Sequence, residues 1–325
     1  MEKIDLKDRK ILYQLNINCR QSNTQIGKKI GLKKDVVSYR IKRMEEKGVI
    51  TGYWTNIDSY RFGYQVYRYY IITQNATSTK KEEIIQKIAD YKNTWVTGGI
   101  KGNYDIVAII WVKSIPEFYN FWDDFNEKYG DYFAEKIFSI YLQADVYPLS
   151  FLLDDFPKSD RENPQHAGAN DPIDISKDDF KLLNEIASNA RIPLVELANK
   201  LNCSSQSANY KLKNLMKKGI IQGFRTGINI KKLDLEHYKV DIWLKEISKR
   251  RKIWDYIKYN PHVTFINTSA GYADLEIEFN IENSDKLISF MDELHIKFPN
   301  SIRKYTYFSS TGDAKLRCFP EMEFK

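Results

Sequence analysis

Long apolar runs are missing from this sequence. The longest, Ile106–Val112, falls far short of the roughly 20 residues that a membrane-crossing helix needs. Cysteine is also scarce. Cys19, Cys203 and Cys318 are scattered and odd in number, with no C-x-x-C pair and no histidine at metal-ligand spacing from them. That excludes a disulfide framework and a zinc motif, and it suits a reducing compartment. The four histidines, His166, His237, His262 and His295, form no triad or metal pattern. The opening stretch MEKIDLKDRK is charged from its second residue and lacks the character of a signal peptide. The expectation is a soluble, cytoplasmic, non-membrane protein with no metal and no cofactor.

What is present points to several globular domains and an anionic partner. The 325 residues are 42% hydrophobic and 29% charged, too many for one ordinary core and suited to two to four domains. The formal net charge is +7. Residues 1–50 alone carry thirteen Lys/Arg against six Asp/Glu, so this stretch holds as much excess charge as the whole chain.

Local signals order this basic stretch. Asp5 can cap a helix over residues 5–17 whose apolar face is Ile11, Leu12 and Leu15. Ser22 and Gln25 have capping-box spacing for a second helix, which carries Ile26 and Ile30 and stops at Gly31. A third helix follows in KDVVSYRIKRMEEKGVI, residues 34–50. Val37, Ile41 and Met44 share its buried face, Ser38, Tyr39, Lys42 and Arg43 fall mostly off it, and Gly48 sits at the stop. Helix, helix, tight turn, helix is the helix-turn-helix order. The strand expected at 49–57 suggests a winged variant.

From Tyr64 the period becomes that of strands. Strands at 64–73, 94–100, 104–112 and about 133–143, with helices at 79–90 and 115–129, give β-α-β-β-α-β, a ferredoxin-like sandwich. The aromatic stripe Phe118, Phe121, Trp122, Phe125 is core at helical spacing. Residues 154–172 read as an exposed linker rich in proline and polar residues. Then the plan repeats. Tyr39 and Tyr210, Gly48 and Gly219, Gly52 and Gly223, and Ile57 and Ile228 are each 171 positions apart. Gly102 and Gly271, Asp105 and Asp274, and Phe121 and Phe290 are each 169 apart. The fold class is therefore α+β, a tandem repeat of a winged helix-turn-helix followed by a ferredoxin-like domain. The divisions are 1–57, 58–153, the linker 154–172, 173–229 and 230–325.

DLKDRKIL at 5–12, VVSYRIKRMEEKGVITGY at 36–53 and IKGNYDIV at 100–107 resemble the Lrp/AsnC family of regulators, as do ANYKLKNLMKKGIIQGF at 208–224 and SAGYADLE at 269–276. The chain departs from that family by being doubled. The resemblance implies a sequence-specific transcriptional regulator on double-stranded DNA, not an enzyme, with an intrachain pseudo-dimer and a small-molecule effector such as an amino acid. It places Lys34, Ser38, Tyr39 and Lys42 of the first copy at the major groove, and Ser205, Gln206, Asn209, Tyr210 and Lys213 of the second. Gln and Asn suit adenine, Lys suits guanine, and Tyr or Ser suits phosphate. Lys28, Lys29, Lys33 and Arg43 would neutralise phosphates, and Arg40 is either one of these or a structural ion pair. The second copy is the less basic, with eight Lys/Arg and five Asp/Glu over 173–223.

The loops holding Gly102 and Asp105, and Gly271 and Asp274, are either tight hairpins or, by the resemblance, an effector site in which the aspartates bind an ammonium group. The alternative function is that of a siroheme-decarboxylase-like enzyme, since those proteins resemble the same family and some carry two such halves. Their chemistry is attributed to histidines and arginines on the middle strands, and residues 94–104 and 263–273 here contain neither.

Overall fold

The computed structural model describes residues 4–168, 170–310 and 315–320. Its first unit is α1 (Leu6–Ile17), α2 (Asn23–Ile30), α3 (Lys34–Glu46) and the strand β1 (Ile50–Ile57). The local signals act as the sequence implies. Asp5 accepts the Asp8 N–H at 2.8 Å, and Asp8 reaches back to the Asp5 N–H at 3.3 Å. Ser22 and Gln25 form the second capping box, and Gly31 and Gly48 stop their helices at φ +70° and +62°. Ile11, Leu12, Leu15, Ile26, Val37, Ile41 and Met44 are buried together.

Next come β2 (Gln65–Thr73), α4 (Ser78–Asp90), β3 (Thr94–Lys101), β4 (Ile106–Val112), α5 (Ile115–Tyr129) and β5 (Phe133–Val146). A short strand, β6 (Gln165–Gly168), precedes the second copy. That copy holds α6 (Lys177–Ala187), α7 (Leu194–Lys200), α8 (Ser205–Lys217) and β7 (Ile221–Ile228). It continues through β8 (Glu236–Leu244), α9 (Arg250–Ile257), β9 (Val263–Ala270), β10 (Leu275–Ile281), α10 (Ser284–Lys297) and β11 (Ile302–Ser310), with β12 (Lys315–Leu316) at the end.

The two helix-turn-helix units share one hydrophobic core, in which Leu182, Leu183, Ile186, Leu197, Leu212 and Leu215 join the first unit's apolar residues. The strand leaving each unit builds no wing within its own unit. β1 pairs antiparallel with β7, its own counterpart, from Ile50 opposite Ile228 to Ile57 opposite Ile221. A single strand leaves its backbone groups unsatisfied, and the equivalent strand supplies the missing partner. Trp54 lies opposite Arg225, the residue 171 positions on, so a local two-fold axis passes through this pair.

The two ferredoxin-like sheets also join. β5 pairs with β9, and Ser309 and Ser310 of β11 pair with Lys101 and Ile100 of β3. The order β11-β8-β10-β9-β5-β2-β4-β3 therefore closes on itself as a ring of eight strands, four from each half. The outer face of the first half packs on α4 and α5 through Ile71, Ile84, Ile88, Ile106 and Phe125. The outer face of the second packs on α9 and α10 through Val240, Ile253, Ile277, Phe279 and Leu294.

The stretch read as an exposed linker is anchored in part. β6 pairs with β5, and Arg161 is fully buried. Arg161 donates to the carbonyls of Pro148 (2.8 Å), Val263 (2.7 Å) and Lys258. Proline and polar residues break helix and strand periodicity, but one arginine satisfied by carbonyls is enough to pin such a segment.

Candidate nucleic-acid interface

The third helix of each unit presents one face to its core and one to solvent. In α3 the apolar stripe faces inward, leaving Lys34, Ser38, Tyr39 and Lys42 exposed; Tyr39 is 66% exposed. In α8 the equivalent Tyr210 is 71% exposed, Gln206 and Lys213 are exposed, and Ser205 and Asn209 are half-buried. The Ser204 side chain caps α8 by accepting the Ser207 N–H at 3.1 Å. Lys28 and Lys33 stand exposed beside α3, and Lys29, also exposed, donates to Gln21 at 2.7 Å. Lys42 has a loose, exposed partner in Glu46 at 3.7 Å.

Arg43, expected with these lysines to neutralise phosphates, is engaged within its own domain. Its guanidinium turns to the buried Asp8 at 2.6 Å, and Arg40 bonds Asp8 at 2.9 Å and Asp5 at 2.8 Å. The same carboxylate thus closes the α1 capping box and ties α1 to α3. For Arg40 the structural ion pair is what forms. In the second copy Lys211 replaces Arg40 and reaches Asp178 at 2.6 Å, while Asn214 replaces Arg43.

At the hairpins, Gly102 has φ +140° and Gly271 φ +82°. The Asp105 carboxylate accepts the Thr73 N–H (2.8 Å) and hydroxyl (2.9 Å) and pairs with Lys81. Burial works against its charge, yet Lys81 and Thr73 hold its carboxyl below the usual range. Asp274 accepts the Leu244 N–H at 2.7 Å. Both aspartates are thus bound to the end of the neighbouring strand, Thr73 of β2 and Leu244 of β8, rather than within their own turns.

A charged cluster that the sequence reading missed fills the ring's interior. Arg68 donates to Glu276 through both terminal nitrogens, one at 2.8 Å, to Ser139 at 3.0 Å and to the Tyr141 hydroxyl at 2.9 Å. Lys239 bonds Glu276 and, at 2.5 Å, Asp241. Tyr272 donates to Asp241 at 2.9 Å and meets the Tyr104 hydroxyl at 2.5 Å. Burial opposes every charge here. Glu276 is nonetheless held far below the carboxylate range by Arg68 and Lys239, while burial pushes Asp241 up. The alternation of charged and apolar residues in β8 and β10 marks a polar face but not what covers it. Among the described residues, no group of three or more His, Cys, Asp or Glu could hold a metal, and no helix is long and apolar enough to cross a membrane.

Comparison with known proteins gives two kinds of match. A winged helix-turn-helix DNA-binding family model matches residues 4–51 and again 177–222. The HTH-type transcriptional regulator Ptr1 of Methanocaldococcus jannaschii is 32% identical over 140 residues, covering 43% of this chain and 84% of that protein. The HTH-type transcriptional regulator LrpA of Pyrococcus horikoshii is 31% identical over 113 residues, covering 34% and 77%. The proline dehydrogenase transcriptional activator of Rhodobacter capsulatus is 32% identical over 119 residues, covering 35% and 75%. Among solved structures, the siroheme decarboxylase NirDL covers 94% of this chain and 91% of its own with a TM-score of 0.61 at 13% identity, a likeness of fold across both halves.

Proposed function

The chain belongs to the Lrp/AsnC family of winged helix-turn-helix regulators, in duplicate, and from that premise we propose that it is a sequence-specific, double-stranded-DNA-binding transcriptional regulator whose single chain supplies two unlike reading heads. The observation that carries this reading is the β1–β7 ladder, which locks α3 and α8 about one local two-fold axis with their polar faces open. Lys34, Ser38, Tyr39 and Lys42 form the first reading surface, and Ser205, Gln206, Asn209, Tyr210 and Lys213 the second. Lys28, Lys29 and Lys33 meet phosphates beside the first. A lysine-rich and an amide-rich surface favour different bases, so the two half-sites differ in sequence. They lie about one helical turn, ~10 bp, or a multiple apart where both helices face one side of the duplex.

Selection of bound duplexes from a random pool, with chain stoichiometry measured, tests this. The expected result is an asymmetric site bound by one chain, with affinity falling steeply as salt rises. One chain on a perfect palindrome, or binding indifferent to salt, overturns it.

Effector binding at Gly102, Asp105, Gly271 and Asp274 has less support, because both carboxylates already accept hydrogen bonds from the end of the neighbouring strand. Thermal-shift titration with the common amino acids tests it. The resemblance to a siroheme decarboxylase rests on fold alone, so we read the chain as non-catalytic. A regulator of this kind works in the cytoplasm, where its DNA is.

A further inference from the structure

The repeat offset shows which residues of the ring interior are counterparts. β2 and β8 are related by 171 positions, so Arg68 corresponds to Lys239 and Tyr70 to Asp241. β4 and β10 are related by 169, so Val107 corresponds to Glu276 and Ile109 to Glu278. Both halves carry a cation at the same place, and only the second carries carboxylates, Asp241 and Glu276, where the first has Tyr70 and Val107. Arg68 and Lys239 converge on the single side chain of Glu276. The tyrosine contact across the halves is equally one-sided. Tyr104 corresponds to Ala273, and Tyr272 to Asn103, so the hydroxyl contact exists only when a first half meets a second half.

We propose that this interior decides which sheets can pair: a first-half ferredoxin-like sheet accepts a second-half sheet and rejects another first half, and a second half likewise rejects its own kind. Two first halves would bring two Arg68 guanidiniums into a closed interior with Val107 on each side where Glu276 now stands. Ser139 and Tyr141 would offer hydroxyls and no charge. Two second halves would bury two lysines with four carboxyl groups. An unpaired buried charge is strongly disfavoured, whereas a matched pair with its hydrogen bonds complete is tolerated. Discrimination arises from that difference even if the matched network adds little stability of its own. The consequence is that chains at high concentration do not scramble through like halves. Any exchange between two chains still joins a first half to a second.

The close approach at the seam points the same way. A Cβ on Gly102 would stand 2.9 Å from the Phe308 Cβ, whereas one on Gly271 would stand 3.4 Å from the Phe138 carbonyl oxygen. The two seams are therefore shaped differently, although their loops are counterparts.

The test uses the full chain with a protease site inserted between Asp171 and Pro172, both exposed. Two preparations, one isotopically heavy, are cut, mixed in urea below the unfolding transition to permit exchange, diluted, and weighed by native mass spectrometry. The expected assemblies contain one first half and one second half in every label combination, with like-half pairs below about one part in a hundred. A parallel cut preparation carrying Val107→Glu gives the first half its own carboxylate. It should show first-half pairs at least about tenfold more often. Like-half pairs at the statistical share in the unsubstituted protein overturn the proposal, as does a cut protein that separates into single halves. A folded Val107→Glu protein with no gain in first-half pairs overturns the role of Glu276.

Discussion

Replacing Asp8 with alanine should cost far more stability than the same change at Asp179, although the two residues are counterparts 171 positions apart. Both occupy the third position of their helix and reach back to the N-cap, Asp8 to Asp5 and Asp179 to Ser176. Loss of that one bond costs about 0.5–1.5 kcal/mol. For Asp179 little else is lost. Asp8 also receives Arg40 at 2.9 Å and Arg43 at 2.6 Å, and its own side chain is fully buried. Breaking a fully buried pair costs about 3–5 kcal/mol. Arg40 and Arg43 keep side-chain exposures of 21% and 23%, so water and Asp5 recover part of this. The expected total for Asp8→Ala is about 2–3 kcal/mol, against about 1 kcal/mol for Asp179→Ala.

Urea unfolding measures the comparison directly. The two units share one core, so both substitutions act on one transition, and an unchanged slope would show that only its midpoint has moved. Losses equal to within about 0.5 kcal/mol would mean that the Arg40–Asp8–Arg43 cluster contributes nothing beyond the cap.

Lys42→Ala should lower the slope of log affinity against log salt by about one, while Arg43→Ala should leave that slope unchanged and act through stability, because Arg43 is bound to Asp8; salt titrations of duplex binding separate the two. Gly102→Ala should destabilise by about 1–3 kcal/mol, more than Gly271→Ala, since it adds a clash with Phe308 to the strain of positive φ; denaturant midpoints decide. The hydrogen bond and charge of Asp145, 2.6 Å away, raise the His166 pKa. That pairing supports β6 fully below the unfolded histidine value of about 6.5 and fades as pH rises through the raised folded value. Amide exchange of residues 165–168 should therefore quicken with rising pH beyond its intrinsic dependence, and Asp145→Asn should abolish the excess.

The parts of the fold that were legible in the sequence are those decided within a few residues. Ser22 with Gln25, and Gly48 at its helix stop, act through neighbours in sequence, so spacing alone identifies them. The Arg43–Asp8 pair went unread because Asp8 lies on another helix, and helical periodicity is silent about contacts between helices. The exposed-linker reading failed at Arg161 for the same reason, since its acceptors lie on residues 148, 258 and 263. The ring interior is hidden because its pattern is that of an ordinary half-exposed sheet. Lys239 and Asp241 alternate with Val240 and Ile242, and Glu276 alternates with Ile277. Such alternation ordinarily marks a sheet with one face in water. Here the polar face is covered by the other half, and no residue within either strand records that.

The repeat does record it, through the positions where the copies disagree. Gly48 and Gly219, or Asp8 and Asp179, are kept because each unit needs its own stop and its own cap. Val107 and Glu276 face the other copy and differ, and Tyr104, which meets Tyr272 of the other copy, has Ala273 as its counterpart. A symmetric dimer must use one sequence on both sides of its axis, so a central cation meets its own image. Joining two copies in one chain removes that constraint, and carboxylates on one half, Glu276 and Asp241, can then answer the cations of both. The same freedom applies to α3 and α8, which share Tyr39 and Tyr210 and differ in most of what surrounds them. Divergence at the ring interior specifies which sheets meet, and divergence at the open helices specifies which bases are read. The first can be measured without DNA and the second without exchange of halves, so failure of either leaves the other standing.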